Sequence, residues 1–309
     1  MGTFIGHILP GAGFVLLGLW HMYNVVGGYV RSPWSYKSRT WFPPEGLSRW
    51  FRHAELYFII IGACGSMAGE LLPDRFWSVT THLNNFEHAT ISLTLLLYAA
   101  FALAVDVLRI HIPQGWLHAA AAVALSQELL LFHFHSSDHM GLEGHYHKLL
   151  QLPIGVGILA LVIEIFVLHL PVIAILRSMS FVLQGLWFIL MGFILWTPSL
   201  VPSGCYITDN HVDCPTPDTL MGAKSLANLE FAWLLSGTFF LTMLGFIVAS
   251  AYFQKYSAYH HLEVKHLGKE DQSLVETLDD MERGGDSSPP SHLQASLEMQ
   301  EFDRLNLPR

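Results

Sequence analysis

Apolar residues along this chain fall into seven stretches, each long enough to cross a bilayer. A span needs ~20 mainly apolar residues, and such windows run from about Phe4 to Val26, Phe51 to Leu72, Leu83 to Leu108, Trp116 to Phe134, Leu149 to Leu170, Ile175 to Trp196 and Leu226 to Phe253. A helix satisfies its own backbone in hydrocarbon, so the pattern predicts an all-α polytopic membrane bundle with seven transmembrane helices. The first window holds His7, Pro10 and several glycines and lacks a basic leader or a small-residue cleavage site, so it reads as a retained helix. From about Gln254 onward the pattern gives way to Ser, Pro, Glu and Asp with few aromatics, a composition that cannot bury a core. The predicted organisation is a membrane domain, residues 1–254, followed by a disordered acidic cytosolic tail, residues 255–309.

Polar positions inside the windows carry the chemistry, because ionisable side chains within a span mark metal sites, proton relays or substrate pockets. Between Glu128 and His147 stand His133, His135, His139, His145 and His147 with Glu128, Asp138 and Glu143. In the second window Glu55, Ser66 and Glu70 share a stripe, while Gly62, Gly65, Ser66 and Gly69 have the small-xxx-small spacing of close helix contact. In the third, Thr81, Asn85, His88 and Ser92 lie on one helical face, which must turn into the bundle. Glu128 and His135 share a face of the fourth, and His145 and His147 stand just before the fifth. His133 and His135 are two residues apart, point to different sides and cannot both serve one ion.

Depth selects the set that can meet. His7, Glu70, His88, Glu128, His135, Asn228 and Glu230 lie toward the same end of their helices. Imidazole and carboxylate at one level suit Zn2+, iron or another divalent metal. The candidate metal ligands are His88, His135, His145, His147 and His7, with Glu128 or Glu70 as general base. An interhelical hydrogen-bond network without metal is the alternative. Asp138 and His139 read as solvated loop residues. His21, His53, His82, His111, His118 and His169 sit near span ends, where amphipathic residues mark the interface. Glu164 lies toward the opposite side, with Glu55 at similar depth and Gln184 and Trp187 as candidate partners; together they suggest a second, smaller polar centre.

Composition strengthens the membrane reading. Of 309 residues, 52% are hydrophobic and only 13% charged, against a usual charged share of ~25%. The net charge of −9 reflects acids gathered in the last segment, and no basic surface suggests nucleic acid. Cys205 and Cys214 lie close together in one polar loop, where a disulfide is open, and Cys64 sits within a span. Arg31, Lys37, Arg39, Arg49, Arg52, Arg109, Arg177, Lys255, Lys265 and Lys269 fall on one side of the predicted topology, and Arg75, Lys148 and Lys224 on the other. The positive-inside rule then puts the N-terminus on the lumenal or exterior side and the tail in the cytosol. That orientation also puts the cysteine loop in the oxidising compartment. Tyr259-His260-His261-Leu262 fits a short tyrosine-based sorting pattern, one that arises often by chance.

Several motifs together resemble the transmembrane protein 45 family, multi-pass proteins of animals and plants. They are Gly6-His7-Ile8-Leu9-Pro10-Gly11, Glu87-His88, Glu128 followed by His135 and His145-Tyr146-His147, Leu183-Gln184-Gly185-Leu186-Trp187, and Ala227-Asn228-Leu229. The resemblance covers about residues 1 to 255 and leaves out the loop around Cys205 and the tail. It implies a seven-span protein of Golgi, endosomal or plasma membranes and assigns no reaction.

Three functions are open at this stage. A membrane metal site would bind an ion or use it to hydrolyse an ester or amide. Seven-span zinc hydrolases of the ceramidase and progestin-receptor type carry paired histidines in the last span, which this chain lacks. A haem electron-transfer protein would use histidines on neighbouring helices, though such proteins usually carry ligands at both faces. A non-catalytic scaffold or trafficking protein would act through cytosolic partners of the tail or through homo-oligomers. A proton-coupled transporter using Glu164 and Glu55 finds no paired broken helices in its support.

Overall fold

The computed structural model describes residues 3–44, 48, 51–72, 83–138, 141–208 and 211–284, with side chains to residue 255 except those of residues 84 and 138. Among the described residues there are seven α-helices: α1 (Phe4–Arg31), α2 (Ala54–Leu71), α3 (Leu83–Val107), α4 (Trp116–Asp138), α5 (Leu142–Phe166), α6 (Pro171–Trp196) and α7 (Pro217–Gly284). All seven are long and apolar enough to cross a membrane, α7 over Pro217–Lys255. Leu97, Phe101, Val123, Leu159, Phe240 and Leu241 are exposed along these helices, as lipid-facing side chains are where lipid, not water, is the solvent.

Helix bounds depart from the apolar windows where polar residues begin or end a helix. The fifth helix starts at Leu142, a full two turns before the window, so His145 and His147 are inside it. Its first turns are polar, and hydropathy alone does not register them. Residues 255–284 continue α7 as helix, where the composition predicts disorder. Lys, Glu, Leu and Gln all have good intrinsic helix propensity, so local helix needs no core there. The chain divides into two compact units, Met1–Gln254 and Lys255–Arg309.

Within the first unit α6 is the axis. Trp187 and Met191 are fully buried, packed with Tyr146, Leu150, Phe132 and Phe188 in the main apolar cluster. The most extensive helix contact is between α1 and α6. It is backbone to backbone: a Cβ on Gly185 would fall on the Gly11 carbonyl and the Val15 nitrogen, and one on Gly18 on Val182 and the Ser178 carbonyl. By contrast α1 and α2 barely touch.

The α2 glycines correct the close-packing expectation. A Cβ on Gly62, Gly65 or Gly69 would meet nothing within 4 Å. Small-xxx-small spacing permits a close neighbour but does not supply one, and α2 packs on α3 along the adjoining face, at whose edge Ser66 lies. There the predicted polar stripe of α3 is met: Ser92 Oγ donates to Ser66 Oγ at 2.9 Å and Asn85 Nδ2 to the Glu70 carbonyl at 2.9 Å. Thr81 lies outside the described residues, as does His82.

Between α6 and α7 a two-stranded antiparallel hairpin, β1 (Tyr206–Thr208) and β2 (His211–Asp213), pairs Ile207 with Val212. It is closed by a Cys205–Cys214 disulfide. Both cysteines and Val212 pack against the main core, so the hairpin is seated at the end of the bundle where α1 begins, here the N-terminal face.

Gly185→Val is expected to destabilise the bundle by about 1–3 kcal/mol through overpacking, while Gly62→Val leaves stability near wild type. Thermal unfolding of the two variants in detergent distinguishes them, and equal melting points would contradict the α1–α6 contact.

Candidate functional site

Packing of α4 on α5 brings the histidine-rich segment together. Gly141 holds a φ of 108°, a conformation that L side chains rarely adopt, and α5 starts at the next residue. Helix periodicity then decides what faces inward. His135 on α4 and His147 on α5 turn into the bundle, with ring centroids 5.0 Å apart. His88 of α3 lies 5.1 Å from His135, and His7 of α1 lies 5.8 Å from His147, centroid to centroid. Four helices therefore contribute one chain of imidazoles, and all four histidines are buried. Glu70 of α2 extends it, its Oε2 lying 3.7 Å from His88 Nδ1.

Hydrogen bonds orient two of these rings. His147 Nδ1 donates to the Glu143 carbonyl at 2.9 Å, and His7 Nδ1 donates to the Thr3 carbonyl at 3.1 Å. A carbonyl only accepts, so each Nδ1 carries the proton and the lone pair is on Nε2. A backbone carbonyl behind a ligating imidazole is the usual outer-shell arrangement of metal sites. His7 Nε2 is buried with no hydrogen-bond partner among the described residues.

His135, Glu143 and His147 each offer a ligand atom within 4.8 Å of the others. Zinc binds nitrogen and oxygen at ~2.0–2.2 Å, so small rotamer shifts would close this group on an ion. Glu143 was not among the residues expected to act here, although its i, i+4 spacing to His147 places both on one helical face. Its Oε2 also lies 3.2 Å from His211 Nδ1, which ties the disulfide hairpin to the group.

Of the other candidates, His145 faces away, its Nε2 meeting Asn228 Oδ1 of α7 at 2.8 Å. Being two residues from His147 on a helix, it cannot share that residue's direction. His133 is exposed and meets Gln151 Oε1 through Nδ1 at 3.2 Å. His139 lies outside the described residues, as does the Asp138 side chain. Glu128 is buried; its Oε1 accepts from Gln184 Nε2 at 2.6 Å, and its Oε2 has no partner among the described residues. Glu230 accepts from Tyr146 Oη at 2.7 Å, and Trp187 Nε1 donates to the Tyr146 carbonyl at 3.0 Å. Trp187 therefore serves the α5–α6 contact and does not serve Glu164.

At the opposite face a second polar centre is built on Arg177, fully buried on α6. Its Nε donates to Glu164 Oε2 at 2.7 Å, its Nη1 to His21 Nδ1 at 2.8 Å, and its Nη2 to the Arg39 carbonyl at 2.8 Å. Ser38 Oγ donates to the other Glu164 oxygen. Guanidinium cannot accept, so His21 Nδ1 must, and the ring is the neutral tautomer with its proton on Nε2. That proton goes to Glu55 Oε1 at 2.7 Å, while Glu55 Oε2 accepts from Trp20 Nε1 at 2.9 Å and the Phe42 amide at 2.8 Å. Sequence alone reads Arg177 as one of the charges that set the orientation and His21 as an interface residue; burial and pairing with each other put both inside the bundle. His118, two residues into α4, stays near a span end and is also buried. His53 keeps its place near a span end, bonded to Asp106 at 2.8 Å. Beside it Arg52, which is outside the spans, is held above the usual guanidinium range by its hydrogen bonds to Asp106.

Residues 114–247 match the profile of a family of unknown function (DUF716). The matched segment runs from the start of α4 into α7. It contains Glu128, His135, Glu143, His147, Glu164 and Arg177, whereas His7, Glu55, Glu70 and His88 precede it.

Arg177→Ala is expected to cost about 3–5 kcal/mol, since it strands a buried carboxylate. The pair replacement Arg177→Leu with Glu164→Leu should cost less than the single alanine change. Unfolding midpoints in detergent read both, and a double variant as unstable as Arg177→Ala would contradict the pairing.

Proposed function

We propose that this chain is a member of the transmembrane protein 45 family that binds a divalent metal, Zn2+ being the ion that best suits the donors, at the N-terminal face of its membrane bundle. The observation that carries the reading is the convergence of His135, Glu143 and His147 ligand atoms. Family membership is supported by the motifs that resemble that family, several of which lie within the segment matched to the family of unknown function.

His135, Glu143 and His147 would hold the ion through two imidazoles and a carboxylate, a donor set of the kind used by catalytic rather than structural zinc. Such an ion lowers the pKa of its water to ~7 and polarises a carbonyl. His7 Nε2, buried beside His147, is placed to supply a further ligand or to hold that water. Glu70 and His88, next along the chain of imidazoles, form the pair suited to moving its proton. The activity this fits is metal-dependent hydrolysis of an ester or amide at the membrane surface. Glu128, bonded to Gln184, serves a different purpose.

The N-terminus and the site face the lumen or exterior, and the acidic tail faces the cytosol. Removing Arg177 from the loop charges leaves the basic excess of the opposite face intact. The Cys205–Cys214 bond beside the site belongs in an oxidising compartment. Golgi, endosomal and plasma membranes all satisfy this orientation.

Elemental analysis of the purified protein should find stoichiometric zinc or another divalent metal, lost in His135→Ala and in His147→Ala and kept in His145→Ala. The ion should also be released on acidification, because imidazoles must be neutral to bind it. A protein without stoichiometric metal, or one whose metal content ignores His135→Ala and His147→Ala, would overturn the proposal.

A further inference from the structure

Between α1 and α2 lies a cavity of about 720 Å³, within the ~300–1,000 Å³ range of small-molecule sites. It reaches from Thr3 and Glu70 near the N-terminal face to His21, Glu55 and Arg177 near the other. Thr3 and His21 are 18 residues apart on the chain, hence ~27 Å along a helix axis, close to the ~30 Å hydrocarbon thickness of a bilayer. Its outer rim is formed by Ile5, Leu9 and Leu16 of α1 and Ile61 of α2, which line the cavity and are also exposed. The cavity thus opens sideways, toward lipid. Gly62, Gly65 and Gly69 form part of its α2 wall, with nothing opposite them within 4 Å.

Protein interiors are packed to crystal-like density, and a void of this size with an apolar wall does not hold water, which needs two to four polar partners. The polar groups at its far end, His21, Glu55 and Arg177, are bonded to one another. Two polar atoms on the wall are different: Glu128 Oε2 and Thr40 Oγ1 are buried, line the cavity and have no partner among the described residues, and of the two Glu128 offers a carboxyl oxygen.

We infer that this cavity binds the long chain of a membrane lipid that enters between α1 and α2 and carries a hydrogen-bond donor, hydroxyl or amide N–H, received by Glu128 Oε2. The apolar wall and the bilayer-length reach select a hydrocarbon chain. The lateral opening selects an occupant already in the membrane, and the stranded carboxylate oxygen requires a donor beside the chain. The site stands on the cavity and Glu128 and does not depend on a metal.

The test uses the full chain reconstituted in phosphatidylcholine vesicles with a photoreactive long-chain alcohol, its diazirine at the chain end, and with the methyl ether of the same probe. After irradiation, mass spectrometry of peptides should find the alcohol on Ile91 and Leu125, which line the cavity and are buried from the outer surface. Gly62→Leu and Gly65→Leu should lose that label, while Gly245→Leu on α7, where a Cβ also meets nothing within 4 Å, should keep it. The ether should label these residues less than the alcohol, and Glu128→Leu should abolish the difference. Label confined to exposed faces, label unchanged in both cavity-filling variants, or equal labelling by alcohol and ether in the unsubstituted protein would overturn the proposal. A Gly65→Leu change in oligomeric state with labelling unchanged would assign the groove to a second copy instead.

Discussion

The contact on which the rest of the bundle depends is the backbone approach of α1 to α6. At Gly11, Gly18 and Gly185 any side chain would collide with the partner helix. In a bilayer, apolar area alone does not draw helices together, because lipid tails are as apolar as leucine; close packing does. Committing α1 to α6 places His7 against His147 and His21 against Arg177, so one packing decision positions a residue in each polar centre. It also draws α1 away from α2, and the space between them follows from that.

The two polar centres answer the low dielectric in different ways. Around Arg177 nearly every donor and acceptor is matched: guanidinium to carboxylate, imidazole and carbonyl, and the second carboxylate to indole, imidazole and amide. Such a network holds its tautomers and its geometry, and it suits structural specification of the loop that carries Ser38 and Arg39. The histidine group is built otherwise. Two of its rings, His7 and His147, are oriented by carbonyls on Nδ1, and His7 Nε2 is buried with no hydrogen-bond partner among the described residues. A buried acceptor without a partner is costly, and the proposed ion would supply the partner that His7 Nε2 lacks.

Much of this was legible in the chain. Seven helices follow from apolar length, the inward face of α3 from four-and-three spacing, and the approach of His7, Glu70, His88 and His135 to one level from common depth. The start of α5 was not, because its opening turns are polar and a hydropathy window passes over them; once it is known, two-residue spacing alone turns His145 away from His147. Arg177 resembles a loop charge, since nothing local reveals that Glu164, 13 residues earlier, folds back onto it across the α5–α6 turn. Glu143 carried a usable signal in its spacing to His147. The α2 glycines carried an ambiguous one, as the same residues make a tight contact on α1 and α6 and an open wall on α2. Which of these holds depends on where the neighbouring helix goes, and that is a property of the whole bundle.

The consequence is clearest in α2. Near its first turn Glu55 is held by Trp20, His21 and the Phe42 amide; near its last, Glu70 and Ser66 meet His88, Asn85 and Ser92. Between those anchors its glycine face touches nothing. Directional polar bonds tether a helix at a set distance without surface contact, which dispersion packing cannot do, since it stabilises only by closing gaps. Glu55 therefore ties α2 to α1 near one end, while Ser66 and Glu70 tie it to α3, and the packing of Leu56 against Tyr98, Ala99 and Ala102 helps to set where α2 stands beside the cavity. A leucine in place of Gly62 or Gly65 would fill that space without drawing α2 toward α1, because α2 is held on its other side by α3.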